Sequence, residues 1–161
     1  MLENCTSREE RWEAVQSLIQ RWLAERQELV VMYCSLCGMG KLSDDHSKTF
    51  KRLEAFCEVL VDYVSAGHFE VYDQLAKEAE AFRDGSIKLF DKLYPGLHET
   101  TQSALDFNDS FDAAVQDEQT LVQLKEQLSR LGEQLDRRFE LEDRLIEELH
   151  IAHKVSIAAH S

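Results

Sequence analysis

Three charged side chains stand where the periodicity of this chain calls for apolar ones. Toward the C-terminus, Leu121, Leu124, Leu128, Leu131 and Leu135 recur at alternating intervals of three and four, and the stripe resumes at Leu145, Leu149 and Ala152. Arg138 and Glu142 fill the two positions between. Near the N-terminus, Trp12, Val15, Ile19 and Trp22 lead to Leu29, Tyr33 and Leu36, with Arg26 on the same stripe. Such spacing marks the buried face of a helix. Charge on that face is costly unless it is paired, hydrated or turned to a partner. The expectation is a mutually satisfied polar cluster of Arg26, Arg138 and Glu142, with Asn108 as a further member, inside a helical bundle.

Other chemistry has thinner support. A di-iron bundle needs two Glu-x-x-His motifs and two further glutamates. The chain has one match, Glu147-Glu148-Leu149-His150, and no second. Asp106, Asp109 and Asp112 recur every three residues, but that strip winds around a helix and carries no histidine. No GxSxG, Walker A or GxGxxG sequence occurs. Neither metal nor cofactor is expected, and no catalytic residue is assigned. Cys34-Ser-Leu-Cys37 is a CxxC pair without the second pair of a zinc site. It closes a helical pattern, whereas a redox CxxC normally opens a helix after a strand. The four cysteines are therefore read as small apolar core thiols.

The elements that position these residues are helical. Ser7, with Glu10 three residues on, forms a capping box for a first helix to Cys37, stopped by Gly38 and Gly40. A second helix starts near Ser43-Asp44-Asp45, turns Phe50, Leu53, Cys57, Leu60 and Val64 inward, and stops at Ala66-Gly67. A third, from His68 or Phe69, uses Tyr72, Leu75, Ala79 and Phe82. Asp84-Gly85-Ser86 is a break, and a short fourth helix spans Ile87 to Leu93. Pro95-Gly96 reads as a turn. The fifth helix uses Leu97, Thr101, Leu105, Asn108, Phe111 and Val115. The sixth is capped by Asp117 and runs to about Ala158. No strand signal competes. The fold class is all-α: one domain over residues 1–161, a bundle of four long helices with one or two shorter crossover helices, and a frayed tail over 154–161.

Composition agrees. A hydrophobic content of 43% argues against disorder, and one proline with six glycines suits long helices. The longest apolar run, Leu29 to Cys37, is far below the ~20 residues of a membrane span, and no signal peptide is visible. A cytoplasmic protein that does not associate with membranes is expected. The net charge is −13. Residues 97–149 hold 14 acidic and 5 basic residues, a net of −9. Such a chain repels nucleic acid and would attract basic protein surfaces, although charge alone favours the simpler reading that acidic helices keep a protein soluble.

The segment Leu60-Val61-Asp62-Tyr63-Val64-Ser65-Ala66-Gly67-His68-Phe69 carries a recognition pattern. Asp62 falls one position off the apolar stripe, beside Val61 and Ser65, so it borders a groove. Asp62 is then either a helix-flank carboxylate pointing at water or a partly desolvated one that suits an arginine, and in the second case Phe69 supplies an apolar anchor.

With Arg21-Trp22-Leu23-Ala24-Glu25-Arg26 and Arg138-Phe139-Glu140-Leu141-Glu142-Asp143, this segment resembles the Rsd/AlgQ family of regulators of the primary sigma factor. The resemblance runs from Met1 to about His153, and Cys34-Ser-Leu-Cys37-Gly38 is similar to the Pseudomonas AlgQ-like branch. It implies a non-enzymatic anti-sigma protein. Its partner would be region 4 of the primary sigma factor, a basic helix-turn-helix domain, with the −35-reading and core-docking surfaces covered. It also implies a partner-contacting role for Asp62, with Ser65 and Phe69 beside it, and places Arg26, Arg138 and Glu142 among the site residues. The alternative from the residues alone is a bundle that holds a small molecule or metal in its polar interior.

Overall fold

The computed structural model describes residues 7–38 and 46–154. Gly40, the expected second-helix start at Ser43–Asp45, Cys5 and the last turns toward Ala158 lie outside the described residues. Helix α1 spans Arg8–Gly38 and α2 spans His46–Ala66. A π turn over Gly67–Val71 leads into α3, Tyr72–Phe82. Helix α4 covers Ile87–Asp112 and α5 covers Glu118–Ile146, followed by a second π turn over Glu147–Ile151. Helix α1 packs on α2 and α4 on α5, with α2 bridging to α4. The described residues contain no strand.

Local chemistry explains the ends. Ser7 Oγ accepts from the Glu10 amide at 3.0 Å, and Asp117, in extended conformation, accepts from the Thr120 amide at 2.7 Å. Both satisfy amides that have no partner within their helix. The α3–α4 break falls at the expected place, with a different C-cap: Arg83 takes the left-handed conformation at φ 51°, and Gly85 follows at φ 83°.

Two expected breaks are absent. The chain does not stop at Ala66-Gly67, and α2, the π turn and α3 form one continuous helical path. Gly67 is there for close approach. A Cβ on it would lie 3.1 Å from both Arg138 Nη2 and Trp22 Cζ2. Nor does Pro95-Gly96 turn the chain, so the short fourth and the fifth helices are one. Pro95 removes one hydrogen bond from the ladder. It is exposed, as is Asp91, the residue whose carbonyl loses its donor, and water can take that place. Gly96 faces α5, where a Cβ would meet Leu141 Cδ1 at 2.9 Å.

The expected α1, α2 and α5 stripes form the core, including Trp22, Leu29, Phe50, Leu60, Leu121, Leu135 and Leu145. On α4 the inward set is Leu93, Leu97, Thr100, Ala104 and Phe107. Leu105 and Val115 are exposed instead of inward: Leu105 lies off the 97–100–104 stripe, and Val115 lies past the end of α4 at Asp112. The expected seam position Ala152 is also exposed, and His153 is buried. A π turn closes with i→i+5 bonds, which moves the buried face on by one residue.

Candidate functional site: an inner polar network behind an acidic outer face

Arg138 and Glu142, four apart on α5, are both fully buried. Glu142 Oε1 accepts from Tyr63 Oη at 2.5 Å and from Arg26 Nη2 at 3.2 Å. Its Oε2 accepts from Arg138 Nε at 3.0 Å and from Tyr72 Oη. The remaining guanidinium donors of Arg138 reach Thr101 Oγ1 at 2.6 Å, Thr100 Oγ1 at 3.3 Å and the Val64 carbonyl at 3.5 Å. Both threonine hydroxyls donate to the Leu97 carbonyl. Arg26 also pairs with Asp143 at 2.6 Å and donates to Tyr63 Oη at 3.0 Å. Two arginines therefore face two carboxylates, and the cluster is electrically balanced. This completeness is what makes a buried ion pair tolerable, because desolvation is repaid only when every lone pair and proton finds a partner.

Ring packing holds the network. Trp22 stacks on Tyr63 at 4.9 Å and meets Tyr72 edge-on at 6.0 Å. Arg26 lies over Phe139 and Arg138 over Tyr72, at 4.8 and 5.5 Å from the ring centroids. Burial raises the Tyr63 and Tyr72 hydroxyl pKa values, and the Glu142 charge raises them further. Burial alone would lower the Arg26 pKa, but Tyr63, Asp143 and Glu142 together hold it above its ordinary value.

The expected cluster of Arg26, Arg138 and Glu142 is thus present, with one member replaced. Asn108 is not in it. Thr100 and Thr101 take that place, because α4 presents its 97–100–104 stripe to α5, while Asn108 lines a groove toward α2. Tyr63 and Tyr72 were missed as network members. Tyrosines on an apolar stripe carry a hydroxyl that must find a partner, and that was the available signal.

The other three expected site residues lie outside. Asp62 is exposed, Ser65 half-buried, and Phe69, in the π turn, is 78% exposed. Asp62 lines a groove of about 440 Å³ between α2 and α4, with Glu54, Glu58, Asp112 and Phe111 among its walls. Across from it on α1, the Glu25 carboxyl is pushed above its ordinary value by partial burial, then by the charges of Asp62, Glu28 and Glu70. The six expected partner-binding residues therefore split into an outer trio and an inner trio. Arg138 and Glu142 have no surface to offer a partner, because the pairing that permits their charge also encloses them. Tyr63 joins the two groups: it follows Asp62 in the chain and its hydroxyl reaches Glu142.

A second polar cluster, not legible in the sequence, sits beside the second π turn. His150 Nδ1 lies 2.9 Å from Glu78 Oε2 and its Nε2 lies 2.8 Å from Gln16 Oε1. Trp12 stacks on the His150 ring at 4.3 Å and donates to its carbonyl. The Glu-x-x-His match thus pairs its histidine with Glu78 of α3 and not with Glu147. Among the described residues, no three His, Cys, Asp or Glu side chains are placed to hold a metal ion.

His153, stacked on Phe82, lies 2.9 Å from Asp84 Oδ2. Hydrogen bonding from Ser86 and then from His153 holds the Asp84 carboxyl down to about 2, against an ordinary 3.8. A carboxyl whose pKa is lowered on folding contributes stability above its unfolded value and loses it as pH falls through the folded one. The stability difference between wild type and Asp84→Asn is therefore expected to shrink between about pH 4 and pH 2. Urea midpoints across that range measure it, and a constant difference would remove the pairing.

Residues 1–150 match the family described as "Regulator of RNA polymerase sigma(70) subunit, Rsd/AlgQ". The chain belongs to the Rsd/AlgQ family. It is 38% identical over 148 residues to the Regulator of sigma D of Yersinia pseudotuberculosis serotype O:1b (strain IP 31758), covering 91% of this chain and 88% of that protein. The same protein of Yersinia enterocolitica serotype O:8 / biotype 1B is also 38% identical, over 91% of this chain and 89% of its own. That of Enterobacter sp. (strain 638) is 37% identical, over 91% and 88%. No solved structure gives a significant match. Family membership bears out the resemblance read from the three sequence segments, all of which supply residues to the inner network.

Proposed function

We propose that this protein is an anti-sigma factor that regulates transcription by binding region 4 of the primary, sigma-70-type sigma factor. It acts by sequestration rather than catalysis, in the cytoplasm, and does not itself bind nucleic acid. The observation that supports this reading is the outer trio: Asp62, Ser65 and the exposed Phe69 lie along one stretch of α2 and its π turn, on an acidic face. A carboxylate beside an exposed aromatic suits a basic helical domain, with an arginine for Asp62 and an apolar pocket for Phe69. The inner network would act as a positioning device, holding the α2–π–α3 path so that the trio keeps its spacing. No described helix is long and apolar enough to cross a membrane.

Asp62→Ala is expected to weaken binding to isolated sigma region 4 by about 1–3 kcal/mol, roughly 5- to 150-fold. Thermal stability should stay within about 1 kcal/mol of wild type, since the side chain is exposed. Titration calorimetry on both proteins measures this, and unchanged affinity removes Asp62 from the interface. Association should slow as salt rises, while dissociation changes less. Duplex carrying the −35 element should compete. A stable three-way complex with neither affinity reduced would exclude occlusion of the DNA-reading surface.

A further inference from the structure

The structure does not support a core-filling role for the CxxC thiols. Cys34 and Cys37 are both exposed, whereas Cys57 is buried in the core. Burial and the neighbouring Asp112 charge push the Cys57 thiol up to about 12, which leaves it unreactive. The two exposed thiols are three residues apart on the last turn of α1. Side chains at that spacing share one face of a helix.

We propose that Cys34 and Cys37 form a reversible dithiol–disulfide site that exchanges with low-molecular-weight disulfides. In an α-helix, Cα atoms three apart are about 5 Å from each other, inside the range of about 4.4–6.8 Å that a disulfide spans. Their Cβ atoms, about 5–6 Å apart, must approach by roughly 1–2 Å. The end of a helix permits that tightening, because its final carbonyls have no intrahelical donor to lose. Gly38 follows, with nothing among the described residues within 4 Å of where its Cβ would be. In this turn only Leu36 is buried.

The exchange balances as follows. The thiolate of one cysteine attacks a sulfur of glutathione disulfide, forms a mixed disulfide and expels one glutathione thiolate. The second cysteine loses its proton to water and attacks the mixed disulfide on the protein-side sulfur. That step forms the Cys34–Cys37 bond and expels the second glutathione. Two protein thiols are oxidised and one glutathione disulfide is reduced. The second step is intramolecular, so it outruns a further encounter with the reagent at modest concentration. Cys37 also lies beside the Tyr33 hydroxyl, so closure takes place next to the α1–α5 contact at Gly132.

The full chain is incubated with excess glutathione disulfide, quenched with an alkylating agent and mapped by mass spectrometry. The expected product is an internal Cys34–Cys37 bond in the α1 peptide, two hydrogens lighter and resistant to alkylation. Dithiothreitol should restore both thiols. Cys34→Ser and Cys37→Ser should each stop at a stable mixed disulfide on the remaining thiol, a species that stays transient in wild type. Wild type that ends with glutathione on both cysteines overturns the proposal, as does a bond from either to Cys5, to Cys57 or to a second chain.

Discussion

Replacing Glu142 with alanine is expected to lower the unfolding free energy by about 3–5 kcal/mol, the range for breaking a buried ion pair from one side. The effect is large because four donors converge on this carboxylate: Tyr63, Tyr72, Arg26 and Arg138. Arg26 keeps Asp143 and some water. Arg138, fully buried, would retain only neutral oxygens. Both tyrosine hydroxyls would lose their acceptor, each at a cost of about 1–3 kcal/mol if water does not enter. A second substitution, Arg138→Met, should recover much of the loss, because removing both charges is far less costly than stranding one. Urea denaturation of wild type and the three variants gives the four corners of the cycle. A loss below about 0.5 kcal/mol for Glu142→Ala would mean that these side chains are hydrated in solution. Because Tyr63 adjoins Asp62, binding by the folded fraction of Glu142→Ala also tests whether the network positions the outer trio.

Gly132→Ala is expected to destabilise by about 1–3 kcal/mol, as overpacking does, although alanine is the better helix former by about 1 kcal/mol. A Cβ there would lie 1.9 Å from Tyr33 Oη and 2.6 Å from its Cζ. The whole ring must therefore swing away, and with it goes the bond from its hydroxyl to the Leu128 carbonyl at 3.1 Å. The sign is the decisive feature. In a Tyr33→Ala background the slot is empty, and the same Gly132→Ala change should stabilise by up to about 1 kcal/mol. Thermal melts of the two pairs settle it, and a destabilisation of equal size in both backgrounds would exclude steric conflict with Tyr33.

Much of the candidate site was legible in the sequence because charge on an apolar stripe is a conflict with few resolutions. Arg26, Arg138 and Glu142 were identifiable as one cluster from their phase alone, since the two helices that carry them, α1 and α5, turn those stripes to a common interior. The fourth partner was not. Asn108 and Thr101 fall on one side of α4, seven residues or about 10 Å apart along its axis, and which of the two stands level with Arg138 depends on how far α4 is shifted along α5. The His150–Glu78 pair was missed for a related reason, since it depends on a one-residue phase change in the second π turn.

The sequence by itself determined the all-α class, the caps at Ser7 and Asp117, the α1, α2 and α5 core faces and the family. These follow from periodicity, local hydrogen bonding or residue order, all of which are short-range properties of the chain. Only the tertiary structure decided that Gly67 and Gly96 are sites of close approach rather than stops. It also decided that Cys34 and Cys37 face solvent while Cys57 does not, and that Asp62, Ser65 and Phe69 lie outside the shell enclosing Arg138 and Glu142. A glycine has the same local propensity whether it ends a helix or lets another side chain approach, and a neighbour distant in sequence makes the difference. The same holds for the π turns. Such turns are rare in a regular helix, and the first of them lies where Trp22, Tyr72 and Arg138 close on Gly67.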